Sequence, residues 1–318
     1  PEVGPVVYFQ RSPASGWQAV DWKGSLHGSI ESAHVGIPYQ SPDGSRVEWS
    51  PQGVWQIVDR TGRILSRPDL SGRGFTWADD SSGLCVLKVI SENPPNGGSY
   101  ELAFESAAGS SRGIAALNTN RGPNIAACSP SAGRIVITTA SGYKDPATEF
   151  LRVTVGDVIV IDFTSGSVLL RQTLPVGSAS TQVNDVIVSH DGAFAALATS
   201  TQTTIIILAN GRTVAQFSGV VPLAFSWDEK QLAVDGGPGE TRGEVLSVPA
   251  GQVVWSDNSS GQVTQGAAAD PASSNVMLFA TTGGLSDLLV ISASGTERTI
   301  ATEVFPAQIA PCATCSAA

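Results

Sequence analysis

The sequence predicts an all-β protein, a seven-bladed β-propeller of four-stranded antiparallel blades, and three observations predict it. A Ser-x-Asp-Gly turn flanked by apolar residues recurs along the chain. It is clearest at Ser41-Pro42-Asp43-Gly44 and Ser189-His190-Asp191-Gly192. Weaker copies stand at Ser226-Trp227-Asp228-Glu229, Ser129-Pro130-Ser131-Ala132-Gly133 and Ala78-Asp79-Asp80-Ser81-Ser82-Gly83. Their spacing averages about 45 residues, the repeat length of propeller blades. Charged residues make up only 14% of the chain, Gly, Ser, Thr and Ala are abundant, and long Glu/Lys/Leu stretches are missing. That composition belongs to strands joined by tight turns. Third, each end of the chain carries part of a blade, and the two parts complete one another.

The blades follow in order, each written as strand, turn, strand, loop, strand, short turn, strand. Blade one runs from Ile37-Pro38-Tyr39 through the 41–44 turn to Arg46–Trp49, Val54–Asp59, a Thr61-Gly62 turn and Ile64-Leu65. Its runs alternate with period two. Blade two begins near Gly74–Trp77, blade three near Asn124–Cys128, blade four at Asp185–Val188 and blade five at Pro222–Phe225. Blade six follows at about Gln265, with Val276–Phe279 and Leu288–Ile291 as its middle strands. Third strands such as Asp157–Asp162, Thr204–Ile207 and Glu244–Val248 each lead into a Gly turn at Gly166, Gly211 or Gly251, as blade six does at Gly295. The seventh blade combines Phe305–Ala310 as its first strand with Pro5–Phe9 and Trp17–Trp22 as its second and third. This closure removes exposed sheet edges.

A chain of 318 residues buries roughly three quarters of its unfolded surface, so it needs no metal to find a core. Repeat folds of this size are single domains, and 1–318 is expected to be one. With its Ser-Pro-Asp-Gly turn between first and second strands, the chain resembles the TolB-like and WD-repeat-like seven-bladed propellers. The resemblance covers nearly all of the chain at the level of fold. The turn is complete in one blade, close in a second and degenerate elsewhere, and the Trp-Asp ending and Gly-His signature of true WD repeats are missing. Propellers host lyases, glycosidases, dehydrogenases, lectins and scaffolds, so the resemblance implies a fold and selects no activity.

The net charge of −10 comes from 28 acidic and 18 basic residues, four of them Lys. No Lys/Arg cluster offers the footprint of a phosphate backbone, so nucleic acid is not an expected partner. The longest apolar runs, such as Thr204–Ala209, are far shorter than the ~20 residues of a spanning helix, so the visible chain is not expected to insert in a membrane. With Pro1 at its start, the chain is expected to have lost a leader or anchor and to be secreted or an extracytoplasmic ectodomain.

The candidate chemistry is sparse. Asp43 and Asp191 read as turn residues bonded to nearby backbone N–H groups, with Gly44 and Gly192 supplying positive φ. His190 occupies the place of Pro42 and reads as an exposed turn residue. The three histidines, His27, His34 and His190, have no metal-ligand spacing, and no calcium loop is present. No metal site and no cofactor is expected. Gly-x-Ser-x-Gly is absent, and Gly236–Gly239 and Gly283-Gly284 are followed by no helix to receive a phosphate. Asp185, Asp235 and Asp287 lie near strand ends and are the carboxylates a funnel enzyme could use. Cys85 and Cys128 read as buried and inert. Cys312 and Cys315 stand at the turn of the seventh blade and are expected to form a small disulfide loop.

Loops between second and third strands carry the remaining candidates. The longest, Ala140 to Gly156 in blade three, holds Tyr143, Lys144, Asp145, Glu149, Phe150 and Arg152, and blade two adds Glu92 and Asn93 in 91–98. Trp227 and the pair Trp49 and Trp55 are secondary candidates. The expected function is a non-catalytic extracytoplasmic binding or assembly module that docks a protein partner through these loops. The alternatives are a carbohydrate-binding propeller, against which the seven Trp recur at no one blade position, and a lyase or glycosidase acting in the central funnel.

Overall fold

The computed structural model describes residues 6–12, 17–30, 39–44, 46–49, 54–59, 63–70, 74–92, 97–144, 151–175, 182–236, 243–257, 263–282, 285–304 and 309–310. Among them every regular element is a strand. The chain opens with β1 (Val6–Phe9), β2 (Trp17–Asp21) and β3 (Leu26–Ile30). Blade one is β4 (Tyr39–Gln40), β5 (Arg46–Trp49), β6 (Gln56–Asp59) and β7 (Ile64–Ser66). Blade two is β8 (Gly74–Trp77), β9 (Gly83–Glu92), β10 (Gly98–Ser106) and β11 (Ser111–Thr119). Blade three is β12 (Gly122–Ser129), β13 (Arg134–Lys144), β14 (Leu151–Asp162) and β15 (Val168–Thr173). Blade four is β16 (Asp185–Val188), β17 (Phe194–Ala198), β18 (Gln202–Ile207) and β19 (Thr213–Ser218). Blade five is β20 (Val221–Phe225), β21 (Gln231–Asp235), β22 (Gly243–Ser247) and β23 (Val253–Ser256). Blade six is β24 (Val263–Ala269), β25 (Val276–Thr282), β26 (Leu285–Ile291) and β27 (Glu297–Val304), and β28 (Ile309–Ala310) follows.

Each blade is one four-stranded sheet with neighbours in chain order, and the seventh sheet runs β28-β1-β2-β3. Tyr8 pairs with Ala310 and Phe9 with Ile309. The expected seven-bladed propeller, closed by a blade that joins both chain ends, is what the sheets form. Asp69–Pro222 makes one compact unit, which holds blades two to four. Pro1–Pro68 with Leu223–Cys315 makes the other.

The middle strands read as continuous apolar runs because both their faces are buried against other blades. Successive side chains point to opposite faces. In blade three, Ile135, Ile137, Ile159 and Ile161 join a core with Leu87, Tyr100 and Leu102 of blade two, while Val136, Val158 and Val160 join one with Ala195, Leu197 and Ile206 of blade four. In the other unit, Met277 and Leu288 of blade six meet Val7 and Phe9 of blade seven, whereas Val276 and Leu278 meet Ala233 and Val245 of blade five.

The Ser of the recurring turn is its structural knot. Ser41, Ser189 and Ser226 are buried. The Ser189 hydroxyl donates to Asp191 Oδ1 at 2.9 Å and accepts from Ala193 N at 3.1 Å and Phe194 N at 3.0 Å. Ser226 repeats this with Asp228 Oδ1 (2.8 Å) and Gln231 N (3.0 Å), and Ser41 donates to Asp43 at 2.8 Å. Asp191 also accepts from Ala193 N at 2.6 Å, the backbone bond expected of it. Gly192 has φ 69°, and a Cβ there would lie 2.9 Å from Val136 Cγ2 of blade three. Blade six carries a turn the sequence pattern missed, because Asp270 takes the place of Ser; it accepts from Ala272 N at 2.9 Å and Ser273 Oγ at 2.5 Å.

Two expectations need correction. His190 is half-buried rather than exposed, since this turn packs against blade three. Cys85 and Cys128 are buried, as expected, but they are bonded to each other (S–S 2.08 Å, Cα–Cα 6.0 Å). One sits on the second strand of blade two and the other on the first strand of blade three, and both face the same interblade core. Cys312 and Cys315 lie outside the described residues.

Candidate functional site

The segment expected to be the long loop of blade three is mostly strand. β13 and β14 continue past the four-stranded part of their sheet as a two-stranded ribbon, pairing Ser141 with Thr154, Tyr143 with Arg152 and Lys144 with Leu151. Backbone pairing from Ser141↔Thr154 to Lys144↔Leu151 makes this polar stretch a ribbon. Tyr143, Lys144 and Arg152 therefore share one ribbon. Asp145 and Glu149 fall outside the described residues, as does Asn93. Glu92 belongs to β9, opposite Gly98, and accepts the Tyr100 hydroxyl at 3.0 Å.

Blade two is extended at the same end. Among the described residues, β8 pairs with β9 from Gly74↔Leu87 to Trp77↔Leu84. Beyond Leu87, β9 pairs with β10 alone among the described residues. Lys88 marks the change from buried to exposed strand; its ammonium donates to Glu105 Oε1 at 2.6 Å, which raises its pKa. Past it, Val89 is 40% and Ile90 65% exposed. Among the described residues, this stretch of β9 has no strand on its β8 side and bears exposed apolar side chains, a combination suited to pairing with another chain.

Between the bases of these extensions lies a cavity of about 410 Å³, lined by Asn118, Thr119, Asn120, Arg121, Gly156, Asp157, Arg171 and Thr173. A bulge creates part of its wall. Thr139 pairs with Asp157 and Ala140 with Val155, so Gly156 is the extra residue. Its missing side chain lets Arg121 lie against the backbone; a Cβ there would sit 2.2 Å from Arg121 Nη1 and 2.7 Å from Cζ. Thr119 Oγ1 donates to Arg121 O at 2.6 Å, fixing the turn that carries this arginine. Arg121 Nη1 is buried with no hydrogen-bond partner. Asp157 is engaged, with Oδ1 accepting from Thr173 Oγ1 at 2.8 Å and Oδ2 from Thr139 Oγ1 at 3.3 Å. The sequence reading missed Arg121 and Arg171. Gly156, inside a Val-rich strand, was the available signal, because glycine in a strand marks a bulge or a close approach.

The other candidates stand apart. Asp185 opens β16 and its carboxylate accepts from Val186 N at 2.8 Å. Asp235 ends β21, where burial pushes its carboxyl up. Asp287 lies within β26 opposite Ala280. Trp55 and Trp227 are half-buried, and the Trp49 side chain is outside the described set. His27 pairs with Asp21 at 2.7 Å. Among the described residues no three His, Cys, Asp or Glu side chains gather as a metal site would require.

No protein-family model and no curated protein sequence matches this chain. Its fold matches solved structures. A functionally unknown protein from Desulfotomaculum acetoxidans aligns with TM-score 0.56 at 13% identity, covering 97% of this chain and 99% of that one. Kluyveromyces lactis Hsv2p aligns with TM-score 0.55 at 13% identity, covering 90% and 92%. A chain of the mitotic checkpoint complex aligns with TM-score 0.51 at 14% identity, covering 96% and 86%. At these identities the likeness establishes the β-propeller fold and nothing finer.

Proposed function

We propose that this propeller is a non-catalytic binding module that docks a protein partner on the extended hairpins of blades two and three. The observation that carries the reading is the exposure of Val89 and Ile90 on a stretch of β9 that, among the described residues, pairs with β10 alone. An extended segment of a partner gains backbone hydrogen bonds along such a stretch, and exposed apolar side chains add contact area. The ribbon with Tyr143, Lys144 and Arg152, together with Glu92, supplies polar contacts around it. Asn93, Asp145 and Glu149, which lie outside the described residues, belong to the same proposal. A propeller of this fold is a component of the mitotic checkpoint complex, which favours an assembly role by analogy alone.

An extracytoplasmic location fits the buried Cys85–Cys128 disulfide, because such bonds persist in oxidising compartments. The chain is read as one domain over 1–318. The test uses the whole chain as bait in native extract beside a Val89→Lys/Ile90→Lys variant and a Tyr143→Ala/Lys144→Ala/Arg152→Ala variant. A protein held by the parent chain and lost by either variant is the expected outcome. Equal retention by all three sinks this choice of surface, and no retained protein sinks protein docking in favour of a glycan.

A further inference from the structure

We infer that the cavity between blades two and three is a binding site for a small hydroxylated monocarboxylate, the chemistry of a sugar acid. Four features converge on this ligand class. Arg121 and Arg171 both line the cavity, and Arg121 Nη1 is a buried donor without a partner. A guanidinium matches the planar fork of a carboxylate, so two guanidiniums in one wall suit an entering carboxylate. Asp157 is the one acidic residue in the wall. Two arginines and one aspartate give a wall charge of +2 − 1 = +1, which balances a monoanion and leaves a dianion in excess.

The rest of the wall sets the remainder of the ligand. Asn118, Asn120, Thr119 and Thr173 are amides and hydroxyls, and no aliphatic or aromatic side chain takes part. Asn118 Oδ1 already accepts from Ser99 Oγ at 2.7 Å, so Asn118 offers its amide N–H donors to the cavity. Such walls suit hydroxyl groups, and about 410 Å³ falls at the small-molecule end of the size range of ligand pockets. Gly156 is the steric device that seats Arg121 against the backbone at the carboxylate end.

This site is separate from Val89 and Ile90 of β9, so either reading can fail while the other stands. The test is calorimetric titration of the whole chain with sodium D-glucuronate, its uncharged methyl ester and glucose 6-phosphate. Glucuronate is expected to bind, with the ester and the dianionic phosphate each weaker by about ten-fold or more, as loss or mismatch of a charged hydrogen bond predicts. Arg171→Gln, at an exposed residue, should keep the fold by circular dichroism and lose about ten-fold or more in affinity. Gly156→Ala should do the same by displacing Arg121. The inference is overturned if glucuronate gives no saturable heat at millimolar concentration, if the ester or the phosphate binds as well, or if well-folded Arg171→Gln binds unchanged.

Discussion

Asp79, in the turn after blade two's first strand, accepts the Ser129 hydroxyl of blade three at 2.6 Å. It also takes the Ser131 hydroxyl and lies 3.5 Å from Ser131 N. Blade three has Ser131 where the turns of blades one, two, four and five carry Asp43, Asp80, Asp191 and Asp228. The carboxylate missing from its turn is thus supplied by the preceding blade, and a local motif becomes an interblade tie. Ser129 is fully buried, so removing its acceptor strands a buried hydroxyl. Asp79→Ala is expected to cost about 1–3 kcal/mol. Asp80→Ala, which removes only exposed contacts to Ser82, should cost under about 1 kcal/mol. Moving the carboxylate home in Asp79→Ser/Ser131→Asp should recover most of the loss. Denaturant midpoints of the four proteins check this, and equal losses for Asp79→Ala and Asp80→Ala would contradict it.

The disulfide invites the second prediction. Cys85 and Cys128 are separated by 43 positions, and cross-linking a loop of that length stabilises by about 4 kcal/mol in the chain-entropy model. Cys85→Ala/Cys128→Ala should lower the unfolding midpoint strongly. Thiol titration of the unfolded, unreduced chain should find two reactive cysteines if Cys312 and Cys315 are free and none if they form the expected loop. Four reactive thiols would exclude both bridges.

The blade order, the terminal strands that share the seventh blade and the Ser189-x-Asp191-Gly192 knot were legible because each strand and turn is written in a few adjacent residues. The cavity was not. Arg121, Gly156 and Arg171 lie on three separate elements, and only the bulge at Gly156 brings the backbone close enough for Arg121 to pack there. The β13–β14 ribbon was misread as a loop because its polar residues obscured the alternation that pairs it. The Cys85–Cys128 bond was legible in principle, since 43 positions is close to one blade repeat and puts the two residues on adjacent blades. Its signal was the spacing, which burial alone does not reveal.

His190 gives a pH dependence of definite sign. Burial holds its imidazole below the usual range, while the Asp191 and Asp79 carboxylates act against that shift. The unfolded chain therefore takes up a proton at higher pH than the folded one. Stability should be complete above the unfolded histidine value of about 6.5 and fall as pH drops through that value toward the lower folded one. The slope cannot exceed about 1.4 kcal/mol per pH unit, the limit for one proton. His190→Gln should flatten this part of the profile while carboxylate titration at lower pH remains. An unchanged slope between pH 7 and 5.5 (roughly the window the imidazole controls) in the variant would remove His190 as its source.

Glu229 occupies the turn position of Gly44 and Gly192, with φ 61° against their 69°. A side chain with a Cβ is strained in this left-handed region by about 1–2 kcal/mol, and glycine is not. Glycine's greater freedom in the unfolded chain returns part of that gain, by about 0.4–1 kcal/mol. The difference still favours the substitution, so Glu229→Gly should stabilise the chain by a few tenths to about 1 kcal/mol. Ser226 and Asp228 remain to hold the turn through Gln231 N and Lys230 N. The reverse change at the matching position, Gly192→Glu, must accept the same φ strain and the contact with Val136. It should destabilise by more than Glu229→Gly stabilises. Paired thermal melts decide the matter, and a Glu229→Gly variant less stable than the parent would show that contacts of the Glu229 side chain outweigh its backbone strain.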